Sequence, residues 1–271
     1  MEGVKSQRVF GLDMVRAAAG VLTLSVHFFL NNGFYDTLAS GKSMLLACMV
    51  RMLCMSCVPL FMLLTGYTCV NREWSKGYAG TGRRGRRPSG GPGPAGGACG
   101  NCGRGAGGGR GTAAQMFSSY RAAPYGWYIE MYIGLFLLSP FLNAAWHGLE
   151  DGGKKALVLT LLGLTVVPTL TNQRWELLPD WWVGMYPLTY YALGAWLREH
   201  PVKMKGWKLL LCWLALAAVF GVKGYLRAGG GNYILAADDG WGSLALTLES
   251  VCLFSCLRKA EGTGLPAPVR W

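Results

Sequence analysis

The chain has 271 residues, of which 52% are hydrophobic and 15% charged, with 11 Trp and 12 Tyr. A soluble domain carries about 25% charged residues, so this composition, with its apolar runs of membrane length, excludes an ordinary soluble fold. It gives instead an all-α, polytopic transmembrane helical bundle of about seven spans. The net charge of +12 does not point to nucleic acid, because many of the cations sit in short loops beside apolar runs, where they set topology.

The first span is expected over residues 12–30, LDMVRAAAGVLTLSVHFFL. It has no small-residue cleavage site and carries charges, so it reads as a retained span rather than a signal peptide. Lys5 and Arg8 precede it and place the amino terminus inside. Within it lie Asp13, Arg16 and His27. At about 100° per residue, the step from Arg16 to His27 closes to within roughly 20°, so both project from one side of a helix, three turns apart. Asp13 falls one turn before Arg16 on nearly the same stripe. Ionisable groups inside a span are costly and mark functional sites by default, although an interfacial ion pair and a packed histidine would give the same spacing.

A second span is expected over residues 44–70, containing Arg51, VPLFMLLTGY and Tyr67. Pro59 should kink it by removing a backbone donor, and Gly66 should permit close backbone approach. Arg51 needs an acceptor wherever it is buried. Residues 80–111 then change character, reading RRGRRPSGGPGPAGG and CGNCGRGAGGGRG, too poor in apolar surface to order themselves. Cys99 and Cys102 form a lone CxxC without a second pair, so no metal is expected. Cys48, Cys54, Cys57, Cys69, Cys212, Cys252 and Cys256 lie in apolar stretches and read as small core hydrophobes.

Five further spans are expected over residues 125–146, 156–170, 183–197, 207–220 and 241–257. The first of these carries Glu130, for which Arg51 or Arg16 is the natural partner, with Trp127 and Tyr128 in an aromatic belt. His147 and His200 read as solvated loop residues. If these spans alternate, Lys154, Lys155, Arg198, Lys203, Lys205, Lys208, Arg258 and Lys259 share one side, against Arg174, Lys223 and Arg227 on the other. The richer side is inside. That conflicts with an inside amino terminus by one crossing, and the missing crossing falls between Arg72 and residue 125. A frame-shifted reading over residues 80–112 would account for it, since Gly, Arg, Ala and Pro are what out-of-frame GC-rich DNA encodes. The resulting organisation is residues 1–79 with two spans, 80–113 of low complexity, and 114–271 with five spans.

The LDMVR string ending at His27, together with VPLFMLLTGY, GWYIEMYIGLFLLSPFLN and YYALGAWL in this order, resembles the membrane acyltransferase-3 family. The resemblance implies transfer of an acyl group, usually acetyl from acetyl-CoA, to a hydroxyl of a cell-envelope glycan or lipid-linked acceptor in the bacterial plasma membrane. Acyl-CoA would be a donor substrate, with no permanently bound cofactor. His27 would be the general base, its ordinary pKa of about 6.5 suiting proton abstraction near neutrality. Arg16 would hold the donor through its forked N–H groups, Asp13 would orient Arg16, and Glu130, Arg51 and Tyr67 would support the cavity. The Arg-x-x-Arg feature of the family is matched by Arg83 with Arg86 and by Arg84 with Arg87. The resemblance also implies at least one span beyond LPAPVRW, hence a chain altered in the middle and shortened at its end. Intramembrane Arg, His and Glu equally suit a transporter, and a damaged gene would give an inactive product.

Overall fold

The structure, a computed structural model, describes residues 9–72, 127–172 and 177–260. These residues form eight α-helices: α1 (Phe10–Asn31), α2 (Gly41–Met55), α3 (Cys57–Cys69), α4 (Trp127–Gly148), α5 (Asp151–Thr171), α6 (Tyr186–Glu199), α7 (Gly206–Ala228) and α8 (Leu244–Arg258). Short 3-10 turns at Phe34–Asp36, Asp180–Met185 and Ala237–Asp239 join them. Among the described residues the β-pairing is an isolated antiparallel bridge between Leu38 and Asn232. The low-complexity segment, with Cys99, Cys102, Arg83, Arg84, Arg86 and Arg87, lies outside the described residues.

Among the described residues six helical stretches are long and apolar enough to cross a membrane: Phe10–Asn31, Gly41–Cys69, Trp127–Gly148, Asp151–Thr171, Gly206–Ala228 and Ala237–Arg258. The expected fifth span, residues 183–197, is not among them. Its first residues wind as a 3-10 turn and α6 keeps 14 residues, about 21 Å at 1.5 Å per residue against a hydrocarbon core of about 30 Å. The expected second span is one apolar stretch broken in two. The break falls at Ser56, between α2 and α3, rather than at Pro59 itself. The reason is the proline ring, which collides with the carbonyl four residues earlier, Met55, and has no N–H to bond it. The helix therefore ends at Met55 and restarts with Pro59 in the first turn of α3, where a missing N–H costs little.

The chain divides into two units, Met1–Asn71 with Ala145–Trp271, and Arg72–Ala144. In the second unit, the described part is Arg72 and most of α4. Pro140 interrupts the α4 ladder at the carbonyl of Phe136, and Ser139 Oγ donates to that carbonyl instead, at 2.7 Å. Asn143 Nδ2 donates to the Arg72 carbonyl at 3.0 Å.

In the first unit the core is α3 and α6. Most residues of both are buried, and each helix carries a glycine where the other's backbone passes. A Cβ on Gly66 would collide with the Tyr191 carbonyl, and one on Gly194 with the Leu63 carbonyl. Gly66 thus does what its place in VPLFMLLTGY implied, since small residues let helix backbones meet where lipid gives no hydrophobic drive. Around this pair, α1 packs on α2, α3 and α8, and α7 on α2 and α8. Val21, Leu24 and Phe28 of α1 and Leu211, Val219 and Leu226 of α7 are exposed, as expected of side chains whose solvent is lipid.

The helix ends sort the charges. A Cβ on Gly11, at the start of α1, would meet the Arg258 carbonyl at the end of α8 at 2.5 Å. Tyr67 near the end of α3 contacts Arg198 and Arg258, and His147 near the end of α4 bonds the Val70 carbonyl. The start of α1 and the ends of α3, α4, α6 and α8 therefore share one end of this unit. The two topology readings, opposed in the sequence, name the same end. The place of the missing crossing expected from the sequence, between Arg72 and residue 125, lies outside the described residues.

Candidate functional site

α1 is continuous from Phe10 to Asn31, so Arg16 and His27 keep the angular register expected of them. Their separation along the axis is about 16 Å at 1.5 Å per residue. Buried Gly11, Val15 and Ala19 form the stripe that holds α1 to the bundle, and Arg16, Thr23 and His27 lie on its flank. Arg16 Nη1 bonds Asp13 Oδ1 at 2.5 Å, which is the pairing the sequence suggested, and its side chain is 53% exposed. His27 is half-buried. Thr23 Oγ1 donates to the Ala19 carbonyl at 2.8 Å and Ser25 Oγ to the Val21 carbonyl at 3.0 Å, both within α1, which packs on both α2 and α3. The structure thus unites Asp13 with Arg16 and sets His27 three turns away.

At the basic end, Tyr67 receives two guanidinium groups. Arg198 Nη1 donates to its carbonyl at 2.6 Å and Arg258 Nη1 to its hydroxyl at 3.3 Å. The carbons of the two guanidiniums lie 5.5 and 5.8 Å from its ring centroid. Beside them Glu199 accepts from Lys154 Nζ at 2.9 Å and from Trp146 Nε1 at 2.9 Å. Partial burial raises the Glu199 carboxyl, and the bonds from Lys154 and Trp146 outweigh that, leaving it below the usual range. The two histidines read as solvated are exposed but engaged: His147 Nε2 lies 2.9 Å from the Val70 carbonyl, and His200 stacks on Trp196 at 3.9 Å.

The interior holds a carboxyl that the sequence reading passed over. Glu249 of α8 is fully buried. Ser56 Oγ, at the helix break, donates to its Oε2 at 3.3 Å, and Trp213 Nε1 donates to Ser56 Oγ at 3.4 Å. Oε1 is buried without a hydrogen-bond partner. The signal was the one that singled out Glu130, an acid within an apolar run, and LTLESVCLF carries it equally. Glu130 itself is exposed on α4.

Arg51 finds other partners than the expected carboxylate. It is 1% exposed; its Nε donates to Tyr35 Oη at 2.8 Å and its Nη1 to Tyr233 Oη at 3.1 Å. Tyr233 Oη donates onward to Asp239 Oδ2 at 2.9 Å. Arg227 grips Asp239 at 2.5 Å and Asp238 at 2.6 Å, and Lys223 reaches Asp238 at 2.5 Å. Burial pushes the Tyr233 hydroxyl well above the tyrosine range, Asp239 acting with it and Arg51 against, so the phenol stays neutral. Arg51 was thus correctly read as needing an acceptor, but two phenols carry it and a carboxylate stands one bond further on.

A bundle of apolar helices with polar groups on α1, at the α2–α3 break and at both ends defines a multi-pass membrane protein. The chain belongs to the Acyl_transf_3 family of acyltransferase domains, whose family model matches residues 102–261, more than half of its length. It is therefore a membrane acyltransferase. The match takes in α4 to α8, while α1, with Arg16 and His27, precedes it. No curated protein and no solved structure matches the chain.

Proposed function

We propose that this chain transfers an acyl group, acetyl from acetyl-CoA, to a hydroxyl of a cell-envelope glycan or lipid-linked acceptor at the bacterial plasma membrane. The observation that carries the reading is the flank of α1, where Arg16 near the basic end and His27 near the other share one side of a continuous helix. The positive-inside rule assigns the basic end to the cytoplasm, where acyl-CoA is found. A long donor entering there meets the Arg16 guanidinium first, and its thioester reaches toward His27.

The chemistry is general-base acyl transfer. The His27 imidazole takes the proton of the acceptor hydroxyl, and the oxygen attacks the thioester carbonyl. The carbon–sulfur bond breaks, and the CoA thiolate leaves and is protonated by the imidazolium. Correct placement of base and thioester supplies most of the gain, since a positioned base alone is worth about 10²–10⁴-fold. The test is release of free CoA thiol and movement of acetyl label from acetyl-CoA to a glycan acceptor by the full chain in lipid nanodiscs. His27→Ala should abolish transfer, and Arg16→Ala should raise the KM for acetyl-CoA; undiminished turnover in His27→Ala refutes the assignment.

A further inference from the structure

Arg198 and Arg258 stand in the last turns of α6 and α8. In that position an arginine ordinarily caps the carbonyls of its own helix. These two turn instead to the same residue of a third helix, Tyr67, one to its carbonyl and one to its hydroxyl. Two like charges are thereby gathered on one ring.

Among the described residues neither is paired with a carboxylate. Among the described residues, Arg16 pairs with Asp13 and Arg227 with Asp238 and Asp239, while no carboxylate lies within ion-pair distance of Arg198 or Arg258. The nearby carboxylate, Glu199, is taken by Lys154. Lys259 is turned to the Met204 carbonyl and adds to the positive charge. The start of α1 is seated against Arg258, and its N-cap residue, Val9, supplies no side-chain acceptor, so the positive end of that helix faces the same region. A guanidinium has five N–H donors, and each of these two spends one on Tyr67.

We infer that Arg198 and Arg258, held on Tyr67, form a binding site for a phosphate-bearing ligand. Paired guanidiniums fit phosphate oxygens through two parallel bonds, a geometry that lysine does not reproduce. Tyr67 keeps both side chains from swinging into water and so removes much of the ordering cost of binding. As the seat of the donor's phosphates the site rests on the acyl-CoA reading above; a lipid phosphate offers the same chemistry from a second source. The ordinary alternative is that the two arginines only mark the inner face of the membrane.

The experiment uses the full chain in nanodiscs of neutral phosphatidylcholine, with inorganic pyrophosphate, CoA and dephospho-CoA as probes, and a second set containing one-fifth phosphatidylglycerol. Pyrophosphate and CoA should bind the unaltered chain. Arg198→Gln and Arg258→Gln should each weaken that binding at least ten-fold, while Lys205→Gln, an equal loss of charge at the same end, should change it less than two-fold. If phosphatidylglycerol displaces pyrophosphate but CoA does not, the occupant is the lipid; the converse makes it the donor. For a variant that does not fold, the footprint on the unaltered chain decides: pyrophosphate or phosphatidylglycerol should slow phenylglyoxal modification of Arg198 and Arg258 at least five-fold. Equal affinities in the arginine variants, an equal loss in Lys205→Gln, or unprotected arginines overturn the inference. Label transfer on the same samples separates the two claims. Transfer with an unchanged KM for acetyl-CoA and unchanged pyrophosphate binding in both arginine variants removes the phosphate site and leaves the enzyme, whereas arginine-dependent pyrophosphate binding without any transfer removes the enzyme and leaves the site.

Discussion

Replacing Glu249 with methionine tests how much stability the bundle gives up to keep a carboxyl in its interior. The side chain is fully buried, its Oε2 accepts one long bond from Ser56 at 3.3 Å, and its Oε1 accepts none. A bond of that length returns about 1 kcal/mol at most, while an unsatisfied buried polar group costs about 1–3 kcal/mol and a buried charge more. Methionine has nearly the same volume and shape, so no cavity is opened. Against the gain stands the Ser56 hydroxyl, which loses its acceptor at a cost of about 1 kcal/mol, though it still accepts from Trp213 at 3.4 Å. The net expectation for Glu249→Met is a stabilisation of about 1–2 kcal/mol, or several degrees in Tm for a chain of this size. Ser56→Ala added to it should recover part of the remaining cost. Thermal unfolding in one detergent, followed by tryptophan fluorescence, is the assay. A Tm lowered by several degrees in Glu249→Met would refute the reasoning and show that the carboxyl has a partner worth more than Ser56.

Gly66→Val and Gly194→Val should each prevent folding of the bundle or lower Tm by more than ten degrees, because a side chain at either position meets backbone rather than a movable group; size-exclusion elution as a stable monodisperse species would contradict this. Arg51→Met and Tyr233→Phe should couple by about 1–3 kcal/mol in a double-mutant cycle, since the 3.1 Å bond between them is buried; additive losses would mean that Arg51 is held by Tyr35 alone. The depressed Glu199 carboxyl contributes stability that is present above the ordinary glutamate value of about 4.3 and is lost as pH falls through its folded value. The Tm difference between the unaltered chain and Glu199→Gln should therefore shrink between pH 6 and pH 3, and a difference that stays constant would show that the bonds to Lys154 and Trp146 do not favour the charged form.

What the sequence disclosed, it disclosed through periodicity and cost. Apolar runs of membrane length located every described helix, and the intramembrane arginine at residue 51 announced a buried polar partner. Two kinds of information were hidden. One was the partner itself: Tyr35 and Tyr233 sit 16 and 182 positions away from Arg51, and nothing in an apolar–aromatic stretch distinguishes a phenol that packs from one that accepts a bond. The other was depth. Arg198 and Arg258 appear in the sequence as two of eight loop cations that set orientation, and only the return of α6 and α8 to the end of α3 brings them to one tyrosine. The break at Ser56 was legible in kind but displaced by three residues, because a proline exerts its clash on the preceding turn. Glu249 was legible and was missed, since the rule applied to Glu130 holds equally for it.

The unequal seating of the helices has a mechanical consequence. α3 and α6 meet backbone to backbone in mid-helix through Gly66 and Gly194, so neither can slide without a clash, whereas α1 meets backbone at its start, where Gly11 lies against Arg258, and otherwise buries Val15 and Ala19 along one seam. Rigidity and the proposed chemistry fall to different rods. The helix that carries the imidazole is also the least buried of the candidate spans, so in the proposed chemistry a guest long enough to run beside it has less to displace there than at the locked pair.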